Sequence, residues 1–287
     1  MNAIEIKNLC KSYTGFALQD LNLTLPRGTI LGLIGENGAG KSTTMKLILD
    51  MIRRDSGTIT ILGRDNQADI RSLKEEIGVV LDEVGLPSVL NARQIGRVMK
   101  GTFRSWEEET YEGYLRRFSI PCDKPFRDFS RGTKMKLGIA VALSHRARLL
   151  ILDEATSGLD PVIRDEILDI FNEFTRDEDH TILISSHIVS DLEKICDYVA
   201  FLHKGRLLLC EEKDKLKERY AIIHCSQETL EKIPKAAVIG VKRNAYGAEA
   251  IVERKSIPPQ AEESPVDIEQ LFIFMTKEAE EHERIAS

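Results

Sequence analysis

One stretch constrains the fold more than any other. Thr29-Ile30-Leu31-Gly32-Leu33-Ile34 is an almost unbroken apolar run, and it leads straight into Gly35-Glu36-Asn37-Gly38-Ala39-Gly40-Lys41-Ser42-Thr43. A strand apolar on both sides must be covered on both faces, the situation of a parallel sheet between helices. Beyond the glycines, Met45, Ile48, Leu49 and Ile52 recur at helical spacing up to a stop before Asp55-Ser56-Gly57, so the sequence predicts strand, tight loop and helix in succession. The spacing Gly35-x-x-x-x-Gly40-Lys41-Ser42 gives that loop a chemistry. Glycines let the main chain wrap an anion and take conformations that a Cβ forbids. The N–H groups then point inward, and the helix start adds the positive end of its dipole. Lys41 supplies a point charge for the terminal phosphates of a nucleotide, and Ser42 a hard hydroxyl oxygen for Mg²⁺.

A second apolar run, Leu149-Leu150-Ile151-Leu152, ends in Asp153-Glu154. A carboxylate at the end of such a strand is placed to hold Mg²⁺, the expectation for Asp153, while Glu154 points elsewhere and can polarise an attacking water. Thr181–Ser185 and Tyr198–Leu202 are two further buried strands, with helical stretches between. Parallel strands deliver their carboxyl ends to one edge, so His187, after Ser185-Ser186, is expected near the terminal phosphate. Ahead of all this, Ile4, Ile6 and Leu9, then Leu18, Leu21, Leu23 and Leu25, alternate with polar residues, as antiparallel strands with one wet face do. Between about residues 87 and 148 the pattern is helical and rich in charge.

Composition narrows the function. The chain has 287 residues and a formal net charge of −6, which argues against a nucleic-acid partner, since phosphate backbones demand a basic surface. No apolar run approaches the roughly 20 residues that span a bilayer, and Met1–Glu5 lacks the basic-then-apolar order of a signal peptide. Cys10, Cys122, Cys196, Cys210 and Cys225 are odd in number and widely spaced, so they read as reduced thiols of a cytoplasmic protein, not as zinc ligands or a disulfide framework.

With these residues in order, the stretch Ile4–Leu209 resembles the nucleotide-binding subunit of an ATP-binding cassette (ABC) transporter. The resemblance implies an α/β fold: a P-loop NTPase cassette with a parallel-sheet core, an antiparallel β subdomain and a short helical subdomain. It implies ATP and Mg²⁺ as cofactors, with Asn37, Gly38, Ala39, Gly40, Lys41, Ser42 and Thr43 around the phosphates and Ser42 and Asp153 on the metal. Glu154, His187 and Lys41 take the catalytic roles, Tyr13 matches the aromatic that stacks on adenine, and Asp160 lies in the family's turn after the Asp-Glu strand.

Two departures from the family pattern carry information. The signature Leu-Ser-Gly-Gly-Gln reads Phe129-Ser130-Arg131-Gly132-Thr133 here. Ser130 and Gly132 keep what is needed to bind the γ-phosphate of a second subunit in a head-to-tail dimer, either a homodimer or a pair with a paralogue. Arg131 has two readings: a cation for that trans phosphate, or a side chain along the interface or in solvent. The family Gln after an Ile-Gly-x-x-x stretch is replaced, after Ile77-Gly78-Val79-Val80-Leu81, by Asp82. A carboxylate is also a hard oxygen ligand, so Asp82 is expected on the metal or its water; the alternative is a shifted, solvated loop.

The compact helical insertion is similar to that of the ATPases of bacterial ABC-2-type exporters. This implies a separate transmembrane permease, docked near residues 82–88, and a location on the inner face of the cell membrane. An importer ATPase, or a soluble ABC protein acting on ribosomes or DNA, is the competing reading. Residues 210–287 form a small α+β extension expected to dimerise or regulate, or else to stabilise the cassette by packing on it. Short strands are expected over Ala221–Ser226, Ala236–Lys242 and Ala250–Glu253, a loop over Ile257–Pro265, and a helix starting at Ser264-Pro265.

Overall fold

The structure, a computed structural model, describes residues 1–68, 70–244, 247–259 and 261–286. They divide into two compact units, Met1–Leu207 and Leu208–Ser287. The sequence pattern places the change two residues later, at 209/210; the structural division falls inside a strand.

The first unit opens with β1 (Asn2–Tyr13) and β2 (Phe16–Pro26), antiparallel partners in a hairpin closed at Tyr13 and Phe16. The alternating Ile and Leu residues are buried on one face, as the period of two requires. Next come β3 (Ile30–Gly35), buried at every position, and α1 (Lys41–Ile48). This helix is shorter than its apolar spacing predicts. It caps at Leu49, and Asp50 takes φ 51°, leaving Ile52 beyond the helix. β4 (Ser56–Ile61) and β5 (Arg64–Asp65) complete a four-stranded sheet ordered β2-β1-β4-β5, with antiparallel pairing. The chain continues through α2 (Ile70–Glu75), β6 (Ile77–Val80), α3 (Ala92–Thr102), α4 (Glu108–Arg117) and α5 (Arg131–Ala142). It ends in β7 (Leu149–Asp153), α6 (Pro161–Phe174), β8 (Thr181–Ser185), α7 (Val189–Ile195), β9 (Tyr198–His203) and β10 (Arg206–Glu212).

A six-stranded sheet ordered β10-β9-β3-β8-β7-β6 forms the centre of this unit. From β9 to β6 all neighbours are parallel. The sheet has two strands more than the four apolar runs predict. β6 is only four residues long and β10 only half-buried, so neither gives the strong signal of a doubly covered strand. Every position of β3, β7 and β8 is buried, and each large aliphatic side chain so covered contributes about 1.5–3 kcal/mol. The consequence for function is directional: the carboxyl ends of β3, β6, β7 and β8 open along one edge.

The second unit contains α8 (Lys213–Arg219), β11 (Tyr220–Cys225), α9 (Gln227–Glu231), β12 (Val238–Asn244), β13 (Gly247–Glu253), β14 (Glu262–Pro265) and α10 (Ile268–Ala286). Its antiparallel sheet is ordered β12-β13-β11-β14, around a core that includes Ile223, Leu230, Ile233, Ala250 and Val252. Two expectations are corrected. The segment Ile257–Pro265, read as a loop, supplies the edge strand β14, paired with β11. The helix does not start at Ser264-Pro265, because both are in that strand. It starts at Ile268, where Asp267 accepts from the Gln270 N–H at 2.6 Å and the Gln270 amide oxygen accepts from the Asp267 N–H at 3.3 Å. That reciprocal cap outweighs the preference of proline for a first helical turn.

Candidate nucleotide-binding site

The loop after β3 turns through two left-handed glycines, Gly38 at φ 83° and Gly40 at φ 111°. A side chain at Gly40 is disfavoured by that left-handed backbone, and its Cβ would also press on the ends of the Leu18 and Phe16 side chains, 2.8 Å from Leu18 Cδ2 and 2.9 Å from Phe16 Cζ. Gly40 is also the N-cap of α1 and offers no side-chain cap, so no side chain competes with an anion for the first N–H groups of the helix. The loop is supported from below by the Gly205 N–H, which donates to Ala39 O at 2.9 Å. Lys41 is only 6% exposed, and its ammonium donates to Gly35 O at 2.6 Å and to Glu36 O at 3.3 Å. The loop's own carbonyls therefore hold the cation in place while its remaining capacity faces outward.

Above the loop lies a cavity of about 680 Å³, within the usual range for a ligand site. Asn37, Gly38, Gly40, Lys41, Ser42, Thr43, Asp82, Glu154 and His187 line it. Residues as far apart in sequence as Asn37 and His187 thus meet at one sheet edge. Gly15, Phe16, Glu36, Arg131 and Ser157 also line the cavity, residues that no motif in the sequence places there. Tyr13, Ala39, Ser130, Gly132, Asp153 and Asp160 do not line it. The ring at the cavity wall is that of Phe16, across the hairpin from Tyr13, which is exposed beside Lys11.

Asp153 is buried beneath the cavity. The register of β7 on β8 sets it opposite Ser185, whose hydroxyl donates to Asp153 Oδ1 at 2.5 Å. Glu154 follows in the left-handed region at φ 54°, its N–H donating to Ser185 O at 3.1 Å and reaching Ser185 Oγ at 3.2 Å. That backbone turn swings the Glu154 carboxylate away from Asp153 and toward His187. Glu154 Oε2 accepts from His187 Nδ1–H at 2.6 Å and from the His187 main-chain N–H at 3.3 Å, while Oε1 lies 4.0 Å from Lys41 Nζ. Asp82, after β6, pairs with Arg131 at the start of α5, Nη2 to Oδ1 2.5 Å.

Ser130 is the N-cap of α5, accepting from the Thr133 N–H at 3.2 Å. Asp160 caps α6 in the same way, accepting from the Ile163 N–H at 3.1 Å, ahead of Pro161 at the first helical position. The donors suited to a metal are the Ser42 hydroxyl and the carboxylates of Asp153 and Asp82. All are hard oxygens, which fits Mg²⁺. Among the described residues no cluster of three or more His, Cys, Asp or Glu stands ready to hold a metal by itself.

The model of the ABC transporter family matches residues 18–157. The lantibiotic transport ATP-binding protein SrtF of Streptococcus pyogenes is 38% identical over 215 residues, covering 74% of this chain and 91% of that protein. The chain belongs to the ABC transporter family. The ABC transporter ATP-binding protein YtrB of Bacillus subtilis is 30% identical over 283 residues, which is 94% of this chain and 97% of the relative, so the likeness to that protein extends through the second unit. A solved structure of the ATP-binding subunit of an ABC transporter superposes with a TM-score of 0.68 at 29% identity, over 75% of this chain and 92% of that one. This ABC protein is an ATPase, the ATP-binding subunit that powers a transporter. Among the described residues no helix is long and apolar enough to cross a membrane.

Proposed function

We propose that two copies of this ATPase, or one copy and a paralogue, close head to tail around two ATP molecules, and that closure drives export through a separate transmembrane permease at the inner face of the membrane. The observation that carries the reading is the division of the motif residues. Lys41, Glu154 and His187 share one cavity, whereas Ser130 and Gly132 stay outside it. Arg131 lies on the cavity wall, but Ser130 and Gly132, the residues that keep the signature's phosphate-binding groups, do not reach their own site and would meet a phosphate only at another copy's.

In this mechanism the loop N–H groups and Lys41 bind the triphosphate. Glu154 Oε2 is committed to His187, so Oε1 is the oxygen that takes the proton of the attacking water. His187 holds that carboxylate in place. Ser42, Asp153 and Asp82 would hold Mg²⁺, which when bound screens charge on the phosphates. The wording of SrtF's name, lantibiotic transport, is compatible with an export role here.

Gly132→Asp tests the arrangement. A Cβ at Gly132 meets nothing closer than 3.4 Å, so the monomer accommodates the change. The carboxylate would then face the partner's γ-phosphate. The expected result is loss of cooperative ATP hydrolysis with nucleotide binding to the monomer retained; equal loss of binding refutes the head-to-tail reading.

A further inference from the structure

The two departures from the family pattern are bonded to each other. Asp82 stands where the family has Gln, Arg131 where the signature has Gly, and their side chains form an ion pair on the wall of the nucleotide cavity. The stem of Arg131 crosses the turn that follows Glu154: a Cβ at Gly158 would lie 3.4 Å from Arg131 Cδ. One guanidinium thereby connects the start of α5, the turn after β7 and the loop after β6. The side chains are 58% and 50% exposed. A pair so exposed adds little to the stability of the fold and is exchanged at low cost.

The two partners have different second choices. A carboxylate is a hard ligand for a divalent cation, and a guanidinium matches a phosphate as well as it matches a carboxylate. Ser130 and Gly132 flank Arg131 at the amino end of α5. We propose that Asp82 exchanges Arg131 for the divalent cation carried by the nucleotide, and that the released guanidinium adds its charge to the anion site at the start of α5. The pair then ties the filling of one nucleotide site to the readiness of the signature for the other. The second step rests on the head-to-tail reading; the first does not.

The test uses the full chain in a Glu154→Gln background, so that binding is measured without turnover. Affinity for a fluorescent ATP analogue is read with and without Mg²⁺, and the ratio of the two Kd values reports the exchange. Arg131→Gln leaves Asp82 unpaired, so it weakens metal-free binding and strengthens Mg²⁺-dependent binding. The ratio is expected to rise about two- to fivefold, the worth of one exposed ion pair. Arg131→Lys is expected to restore it. Asp82→Asn is expected to lower the ratio, and adding Arg131→Gln to it to change nothing further. A structural staple would lower Tm in both single variants and leave the ratio alone.

An unchanged ratio in Arg131→Gln, or a shift that persists in the Asp82→Asn background, overturns the exchange. ATP-driven association by sedimentation judges the second step. Arg131→Gln is expected to weaken it, and equal association overturns that step. If the parent stays monomeric in Mg²⁺ and ATP, the head-to-tail reading fails, while the Kd ratio still decides the exchange.

Discussion

At Glu154 the backbone sits at φ 54°, a conformation that costs a residue with a Cβ about 1 kcal/mol or more. Two contacts from the Glu154 N–H to Ser185 hold it there, and the return is a carboxylate facing Lys41 and His187 instead of continuing the line of β7. Glu154→Gln keeps an oxygen that accepts from His187 Nδ1–H but removes the base. The variant is expected to bind ATP normally and to lose about 10²- to 10⁴-fold in kcat, checked by steady-state phosphate release beside a nucleotide titration. The neighbouring Asp-Glu pair was legible in the sequence as two roles. The direction Glu154 takes, onto His187 Nδ1, was not, because it depends on a left-handed turn held by Ser185 on the adjacent strand.

Among the elements, α5 is the one whose start has two duties. Ser130 caps the helix through the Thr133 N–H and, in the proposed dimer, also meets a partner's phosphate. The two duties separate by substitution. Ser130→Ala is expected to lose about 1 kcal/mol of stability together with ATP-driven association. Ser130→Asp retains a good cap, since aspartate accepts from the same N–H, yet sets an anion against the phosphate. It is expected to keep the parental Tm and still lose association, which thermal unfolding and sedimentation in ATP would read in parallel. The sequence shows a helical pattern over about residues 87–148, within which α5 lies. It gave no sign that Arg131 reaches Asp82, 49 positions away in the chain, because that contact follows from the packing of α5 beside β6.

For the molecule as a whole, acid sensitivity has an identifiable source far from the nucleotide. His145 is buried in the first unit, stacked on Phe103 at 3.9 Å between ring centroids, with its ring nitrogens 3.2 Å from Val141 O and Ile77 O. Burial pushes its pKa below the ordinary histidine value, against the opposing pull of the two carbonyls and the Glu75 charge. The unfolded chain therefore takes up this proton at higher pH than the folded one. The stability tied to the neutral ring is whole above about pH 6.5 and is lost as pH falls through the lower folded value. Denaturation midpoints measured from about pH 7.5 down to about pH 5 should fall, and His145→Gln should flatten that slope. The second unit shows the opposite balance of legibility. Its β11–β13 core follows apolar runs that the sequence displays, but β14, Glu-Glu-Ser-Pro, is polar and becomes a strand only because β11 offers it an open edge.

By itself the sequence determined the chemistry and its order along the chain: a phosphate loop after a buried strand, an Asp-Glu strand end, a histidine after the next strand, and an altered signature. These signals are local, carried by spacing, periodicity and the glycines of one loop. The tertiary structure decided which of those groups meet. Parallel register brought Glu154 to His187, hairpin packing turned the Phe16 ring rather than Tyr13 to the cavity wall, and the approach of α5 to β6 closed the Asp82–Arg131 pair. Such contacts lie between segments far apart in sequence, and which side chains they join is set by packing that no single segment encodes.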